Sequence, residues 1–335
     1  MRIILTGASG YIGSQLMDLW LKEDRIEEII AIDLKDPRFL FEKNNPKVRF
    51  IKKNVADINF EAELPNFGEI GAVVHAAYLI RTPYFHKAEH LRSNIFGAEN
   101  VFKFALNNKI LKLIHFSTVA VYGAKKGNSL ERPFKENDAI QEDKITYGKD
   151  KGEIEKILQN LNQKYQNQSE TEISVLRIGS VSGPFGKLVV GKKGLQSFLR
   201  GLLPFIPITG EVSARQFVHE DDIIAAVNFC LFEPLGEKYN VFNLAPNGLL
   251  TFREIAKILN KKIFKFPKFF FRTVFWLAWH LSLGKIPTPP GVVNSYAYPI
   301  IVDGLEICSK GFDYKYTGRD AFLALKGRYS KTSNL

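Results

Sequence analysis

Tyr147-Gly148-Lys149-Asp150-Lys151 opens a stretch with helical spacing, so Tyr147 and Lys151 stand about one turn apart on one face. An ammonium beside a phenol of ordinary pKa about 10 favours the phenolate, which would make the pair an acid/base device working near neutral pH. Alone, Tyr-x-x-x-Lys is more often an exposed helix start with an ordinary lysine. Upstream, Phe116-Ser117-Thr118-Val119-Ala120-Val121-Tyr122-Gly123 ends an apolar run in hydroxyls, where the carboxyl edge of a parallel sheet would hold ligands.

A second constellation lies at the start of the chain. Thr6-Gly7-Ala8-Ser9-Gly10-Tyr11-Ile12-Gly13 sets three glycines at three-residue steps between an apolar run and a helical pattern. Missing side chains there permit a tight turn, approach of backbone to a pyrophosphate, and packing of helix on strand, with the helix N-terminus facing the anion. A surface glycine cluster is the bland alternative. Asp33, at the end of the next apolar run, weighs against it: a carboxylate there accepts bonds from ribose hydroxyls and repels a 2′-phosphate, which favours NAD over NADP.

These residues need a scaffold. Short apolar runs at Ile3 to Leu5, Ile29 to Ile32, Val48 to Ile51, Val73 to Val74, Leu113 to Phe116 and Ile173 to Ile178 alternate with helical patterns at Ser14 to Lys22, Asn100 to Asn107 and Gly152 to Tyr165. The alternation predicts an α/β fold, a doubly wound parallel sheet. After Gly179 the pattern becomes irregular. The expected organisation is a Rossmann-type domain over 1–179 and 215–245, a smaller C-terminal substrate-binding domain over 180–214 and 246–325, and a tail at 326–335.

The glycine turn, Val74-His75-Ala76-Ala77, Asn94, Tyr147 to Lys151 and Arg215-Gln216-Phe217-Val218-His219-Glu220-Asp221-Asp222, in this order, resemble the extended short-chain dehydrogenase/reductase family of sugar-nucleotide epimerases and dehydratases. The resemblance covers about residues 1 to 325. It implies bound NAD, with Thr118 bonding the reacting oxygen, Tyr147 exchanging its proton, and Lys151 also holding the nicotinamide ribose. It places Gly7, Gly10, Tyr11, Ile12, Gly13, Asp33, Asn54, Val55, Ala76, Ala77, Tyr78, Asn94, Ser117, Ile178 and Val181 around the cofactor, although Asn54 stands where the family usually has aspartate. Thr118, Ser180 and Arg215 would meet substrate. Ser180 replaces a frequent asparagine, which weakens a sugar-nucleotide substrate. Arg215 supports one, since a guanidinium grips a diphosphate bidentately, unless it pairs with Asp221 or Asp222 instead. His75, His115 and His219 read as packing or loop residues.

Val119 and Ala120 follow Thr118 where the sugar 4,6-dehydratases carry acidic groups, so elimination of water is disfavoured. The expected activity is an NAD-dependent epimerase or oxidoreductase step on a hydroxyl or ketone of a nucleotide sugar. A 3β-hydroxysteroid-dehydrogenase-like oxidoreductase on a lipid or isoprenoid alcohol is the alternative, and a non-catalytic NAD-sensing scaffold a third.

Composition bounds the rest. Cys230 and Cys308 sit in no metal-ligand spacing, so neither a disulfide scaffold nor a metal site is expected. The formal charge of +11 is scattered, with pairs such as Lys192-Lys193 but no basic stripe for nucleic acid. Met1 to Gly7 leaves no room for a signal peptide, and a cytoplasmic enzyme is expected. A homodimer through the helices after Asn94 and from Tyr147 follows from the resemblance. The segment 264–283, with Phe269-Phe270-Phe271 and Trp276-Leu277-Ala278-Trp279, is too short an apolar span to cross a membrane. It reads as a lid or core helix of the substrate domain, the reading preferred because such a helix is usually buried, or as a helix lying in a membrane interface.

Overall fold

Apolar runs of four to seven residues, each stopped by glycine, aspartate or a polar turn, become strands buried on both faces, the pattern of a parallel sheet covered by helices. A computed structural model describes residues 1–36, 45–189, 195–201, 203–209 and 212–331. The lysine pair at 192–193 and the last four residues of the tail lie outside these.

The elements run β1 (Arg2–Thr6), α1 (Tyr11–Trp20), β2 (Glu28–Asp33), β3 (Val48–Lys52), β4 (Ala72–His75), α2 (Lys87–Asn107), β5 (Lys112–Thr118), α3 (Thr146–Tyr165), β6 (Glu172–Ile178), β7 (Ser180–Ser182), α4 (Pro184–Val189), α5 (Leu195–Arg200), β8 (Phe205–Ile208), β9 (Ala214–Arg215) and β10 (Phe217–His219). They continue through α6 (Glu220–Phe232), β11 (Tyr239–Leu244), β12 (Leu250–Thr251), α7 (Phe252–Ile258), β13 (Lys262–Lys265), α8 (Lys268–Leu281), α9 (Val292–Ala297), α10 (Glu306–Ser309) and α11 (Gly318–Leu323).

Seven strands form one sheet in the order β11-β6-β5-β4-β1-β2-β3, every neighbour parallel. The chain order reverses between β1 and β4, the switch point where the carboxyl ends of such sheets leave a crevice. Leu16, Met17 and Trp20 of α1 and Ile223, Ile224 and Val227 of α6 cover one face. Val101, Phe102 and Ala105 of α2 and Ile154 and Leu158 of α3 cover the other. Each such buried side chain contributes about 1.5–3 kcal/mol. A separate apolar cluster joins Ile206 and Ile208 of β8, Ile255 of α7, Phe271 of α8, Tyr296 of α9 and Phe322 of α11.

Two elements differ from expectation. α2 begins at Lys87 rather than near Asn100, because its first turns, Lys87 to Ser93, are too polar to register as periodic. The aromatic segment divides into β13 and α8, and of α8 only Phe271 and Trp279 are buried, so the expectation of a buried core helix is corrected for most of its length. Among the described residues, no helix is long and apolar enough to cross a membrane.

Candidate active site

The glycine turn is shaped by its lack of side chains. Gly7 has φ +75°, and a Cβ there would lie 2.6 Å from the Ala77 amide nitrogen. A Cβ on Gly13 would fall 2.1 Å from the Gly7 carbonyl oxygen, so glycine lets α1 close on the turn. Gly10 is the N-cap of α1 with no side-chain cap, which leaves the positive end of the helix open to an anion. Asp33 ends β2 and is fixed by the Ser9 amide on Oδ2 (2.9 Å) and the Lys35 amide on Oδ1 (3.0 Å). Gly7, Asp33, Val55, Ala76, Tyr78 and Asn94 line one cleft of about 280 Å³, and Gly10, Asn54 and Ala77 join them in its wall.

Local bonds hold this wall. Asn94 accepts from the Leu79 amide (2.8 Å) and donates to its carbonyl (3.3 Å), while the Asn54 side chain accepts from the Ala56 amide (3.0 Å). The Val55 carbonyl accepts from Asn100 (2.9 Å). Ile12 packs on the core between α1 and the sheet. The Tyr11 ring turns away from the cleft, stacking on Phe185 at 6.0 Å and donating its phenol hydrogen to Glu220.

Thr118 ends β5 beside this cleft. Its hydroxyl donates to the Ile178 carbonyl (3.3 Å) and accepts from the Ala120 amide (3.2 Å), capping a short 3-10 turn, Val119–Tyr122. A Cβ on Gly148 would stand 2.5 Å from the Ala120 carbonyl oxygen, so this glycine lets the first turn of α3 settle on that cap and brings Tyr147 to Thr118. Burial pushes the Tyr147 phenol above its ordinary pKa, with a hydrogen bond to the Thr118 side chain acting the other way.

Lys151 takes its contacts from neighbouring segments. Its Nζ donates to the Phe116 carbonyl (2.6 Å) and lies 4.0 Å from the centroid of the Tyr78 ring, whose edge in turn meets Tyr147 at 5.6 Å. Burial pushes Lys151 down to about 7, against the opposing pull of the Glu155 carboxylate. The phenol is therefore raised where spacing alone predicts it lowered: desolvation outweighs the hydrogen bond to Thr118.

The Ser117 hydroxyl donates to Glu155 on the buried side of the sheet. Glu155 pairs with Arg177 through Nη2 (2.7 Å) and Nε (3.1 Å), and Arg177 donates to the Tyr122 hydroxyl (2.6 Å). Tyr122 donates to Asn243 (2.8 Å), so one polar network braces the segment carrying Thr118 and Lys151. Sequence reasoning assigned no role to Glu155 or Arg177; the signal was Glu155 lying one turn beyond Lys151 on the same face of α3.

Arg215 donates to the Ala214 carbonyl (2.7 Å) and the Ser295 carbonyl, and burial lowers it to about 10. It makes no ion pair with Asp221 or Asp222: Asp222 accepts from the Lys315 and Tyr316 amides (2.9 and 3.1 Å), and Asp221 from the Arg328 amide (2.8 Å). Ser180 and Val181 lie in β7, paired with Phe217 and Val218 of β10. Glu220 accepts from the Phe185 and Gly186 amides (2.8 and 2.9 Å) as well as Tyr11, tying the first turn of α4 to the start of α1. His75 and His115 stack at 5.5 Å inside the sheet, and His219 caps α6, so all three are packing or capping residues. Among the described residues no group of His, Cys, Asp and Glu could hold a metal.

A profile of the NAD dependent epimerase/dehydratase family matches residues 3–245. ADP-L-glycero-D-manno-heptose-6-epimerase of Brachyspira hyodysenteriae is 25% identical over 280 residues, 78% of this chain and 81% of that one. UDP-glucose 4-epimerase of Thermotoga maritima, solved with UDP-glucose, superposes with a TM-score of 0.73 over 100% of both chains at 19% identity. The Streptomyces venezuelae dTDP-glucose 4,6-dehydratase with NAD and TYD bound gives 0.70 over 99% of this chain and 97% of its own at 17% identity. These structures support the Rossmann-like fold, and the glycine turn, which side chains would fill, fits a dinucleotide. With the family profile spanning most of the chain, the protein belongs to the NAD-dependent epimerase/dehydratase family and is an NAD-dependent enzyme of the extended short-chain dehydrogenase/reductase type.

Proposed function

We propose that the protein is a cytoplasmic epimerase or oxidoreductase acting on a hydroxyl or ketone of a nucleotide sugar. The observation that carries this is the Thr118–Tyr147 hydroxyl pair at the carboxyl edge of the sheet, beside the glycine cradle and backed by Lys151. NAD, when bound, supplies the oxidation and the re-reduction of one sugar carbon. Thr118 orients the reacting oxygen and Tyr147 takes and returns its proton. Lys151 anchors the nicotinamide ribose and brings positive charge to the back of the site. Asp33 holds the adenosine ribose diol, Gly7, Gly10 and Gly13 admit the pyrophosphate, and the backbone of Tyr11 and Ile12 opens the helix toward it. Val55 flanks the adenine, Asn54, Ala76, Ala77, Tyr78 and Asn94 line the cofactor, and Ile178 and Val181 lie toward the nicotinamide. Ser180 and Arg215 serve the substrate; among the described residues the guanidinium has carbonyl partners but no carboxylate, which favours the diphosphate reading. Val119 and Ala120 supply no acid for elimination.

The proposed division of labour gives 1–179 and 215–245 to the cofactor and 180–214 with 246–325 to the substrate. A homodimer through α2 and α3 is part of the same reading, and exposed Leu91 and Phe96 on α2 support it. The relatives named above act on or bind ADP-, UDP- or dTDP-linked compounds by their names, which supports the substrate class. Purified protein with NAD, offered a panel of UDP-, dTDP- and ADP-hexoses and followed by chromatography of the products, should convert at least one to an epimer or a keto product. No conversion, together with turnover of an isoprenoid or steroid alcohol, would replace this reading with the lipid-alcohol one.

A further inference from the structure

α8 is apolar nearly all round, yet it buries only Phe271 and Trp279. Phe269 and Trp276, two turns apart on one face, are 72% and 57% exposed, Leu281 at the helix end is 81% exposed, and Val274 and Leu277 on the same outer half are exposed too. Leu283, just past the helix, extends the patch. A soluble surface rarely leaves a contiguous run of large aromatic and aliphatic side chains in water without a partner.

Charge identifies the partner. Between Glu254 and Asp303 the sequence has no acidic residue, while it carries Lys257, Lys261, Lys262, Lys265, Lys268, Arg272 and Lys285. Among the described residues Lys262, Lys265, Arg272 and Lys285 pair with no carboxylate. A cleft of about 700 Å³ beside the helix adds Lys144 to Lys268, Arg272 and Trp276. A second copy of this face would bring the same cations together with no acid from 255–302 to offset them. At 14 residues, roughly 21 Å long, α8 is too short to cross a bilayer and suits lying in its plane.

We infer that α8 docks the enzyme on an anionic lipid bilayer, with Phe269, Trp276 and Leu281 in the headgroup–acyl boundary and the cations of 262–285 on the headgroups. Trp276 is an internal probe, because the other tryptophans, Trp20 and Trp279, are buried.

The full chain would be co-sedimented with vesicles of phosphatidylcholine alone and of phosphatidylcholine with one quarter phosphatidylglycerol, across a salt series. Partition onto the anionic vesicles should exceed that onto the neutral ones by at least about tenfold and fall as salt rises. Phe269→Ser/Trp276→Ser/Leu281→Ser should abolish it with an unchanged melting temperature, since these side chains touch little of the core. Brominated lipid should quench Trp276 in the unaltered chain and lose that signal in Trp276→Phe, which keeps the test open should the triple variant fold poorly. Absence of partition at low salt, equal partition of a folded triple variant, or unquenched Trp276 overturns the inference. Self-association in sedimentation equilibrium that the triple variant abolishes, without vesicle binding, would assign the face to a second copy instead.

Discussion

Asp150 lies inside the Tyr-x-x-x-Lys turn, and its Oδ2 has no hydrogen-bond partner among the described residues. Burial pushes its carboxyl up to about 6, opposed by His90 and Lys149. Its folded pKa thus exceeds its ordinary value, so the folded chain holds a proton that the unfolded chain releases, and stability should fall as pH rises from about 4 to about 6. Asp150→Asn should remove that slope and raise stability at pH 7 by about 1–2 kcal/mol, after allowance for screening. Urea midpoints of both proteins at pH 4 and pH 7 measure it, and parallel curves would contradict it. At this scale the placement of Asp33 and Thr118 at strand ends, and of Tyr147 and Lys151 one turn apart on a helix, was legible from apolar runs and helical spacing. The partner of the Lys151 ammonium was not: the Phe116 carbonyl and the Tyr78 ring come from other segments, and only the folded chain brings them within reach.

α3 is held against the sheet by a buried charge pair rather than by apolar packing alone. Glu155 of α3 and Arg177 of β6 are both buried, and Ser117 of β5 completes the contact. Removing one partner leaves the other charge desolvated, so Glu155→Gln should cost about 3–5 kcal/mol, whereas Ser117→Ala should cost about 1 kcal/mol. Denaturant titration separates the two, and equal losses would show that the pair contributes nothing beyond a hydrogen bond. The strands and most helices were readable from period and punctuation. The first turns of α2 were not, because Lys87 to Ser93 carry too few apolar residues to register, and what fixes them is a tertiary contact: the buried His90 ring bonds the Leu79 carbonyl at 2.7 Å.

Across the whole molecule, the carboxyl edge of one parallel sheet gathers the ends of β1, β2, β3 and β4, so residues far apart in sequence meet in one crevice. Sheet class and cofactor edge were legible from alternation and glycine spacing. The surroundings of α8 were not, because hydrophobic periodicity says that a helix has an apolar face and not what covers it. With Asp33 on the ribose diol, the protein should bind NAD at least about tenfold more tightly than NADP, roughly 1.4 kcal/mol, and Asp33→Ser should narrow the gap; calorimetry giving equal affinities for the unaltered protein would contradict this. The central claim is that Tyr147 moves the proton in the redox step. Turnover of Tyr147→Phe on whichever nucleotide sugar the panel identifies, measured beside its NAD affinity, tests it most directly. NAD affinity should stay within about twofold and turnover fall by two to four orders of magnitude, roughly the scale of a lost acid/base group; a folded, NAD-binding Tyr147→Phe with near-full turnover would contradict this role.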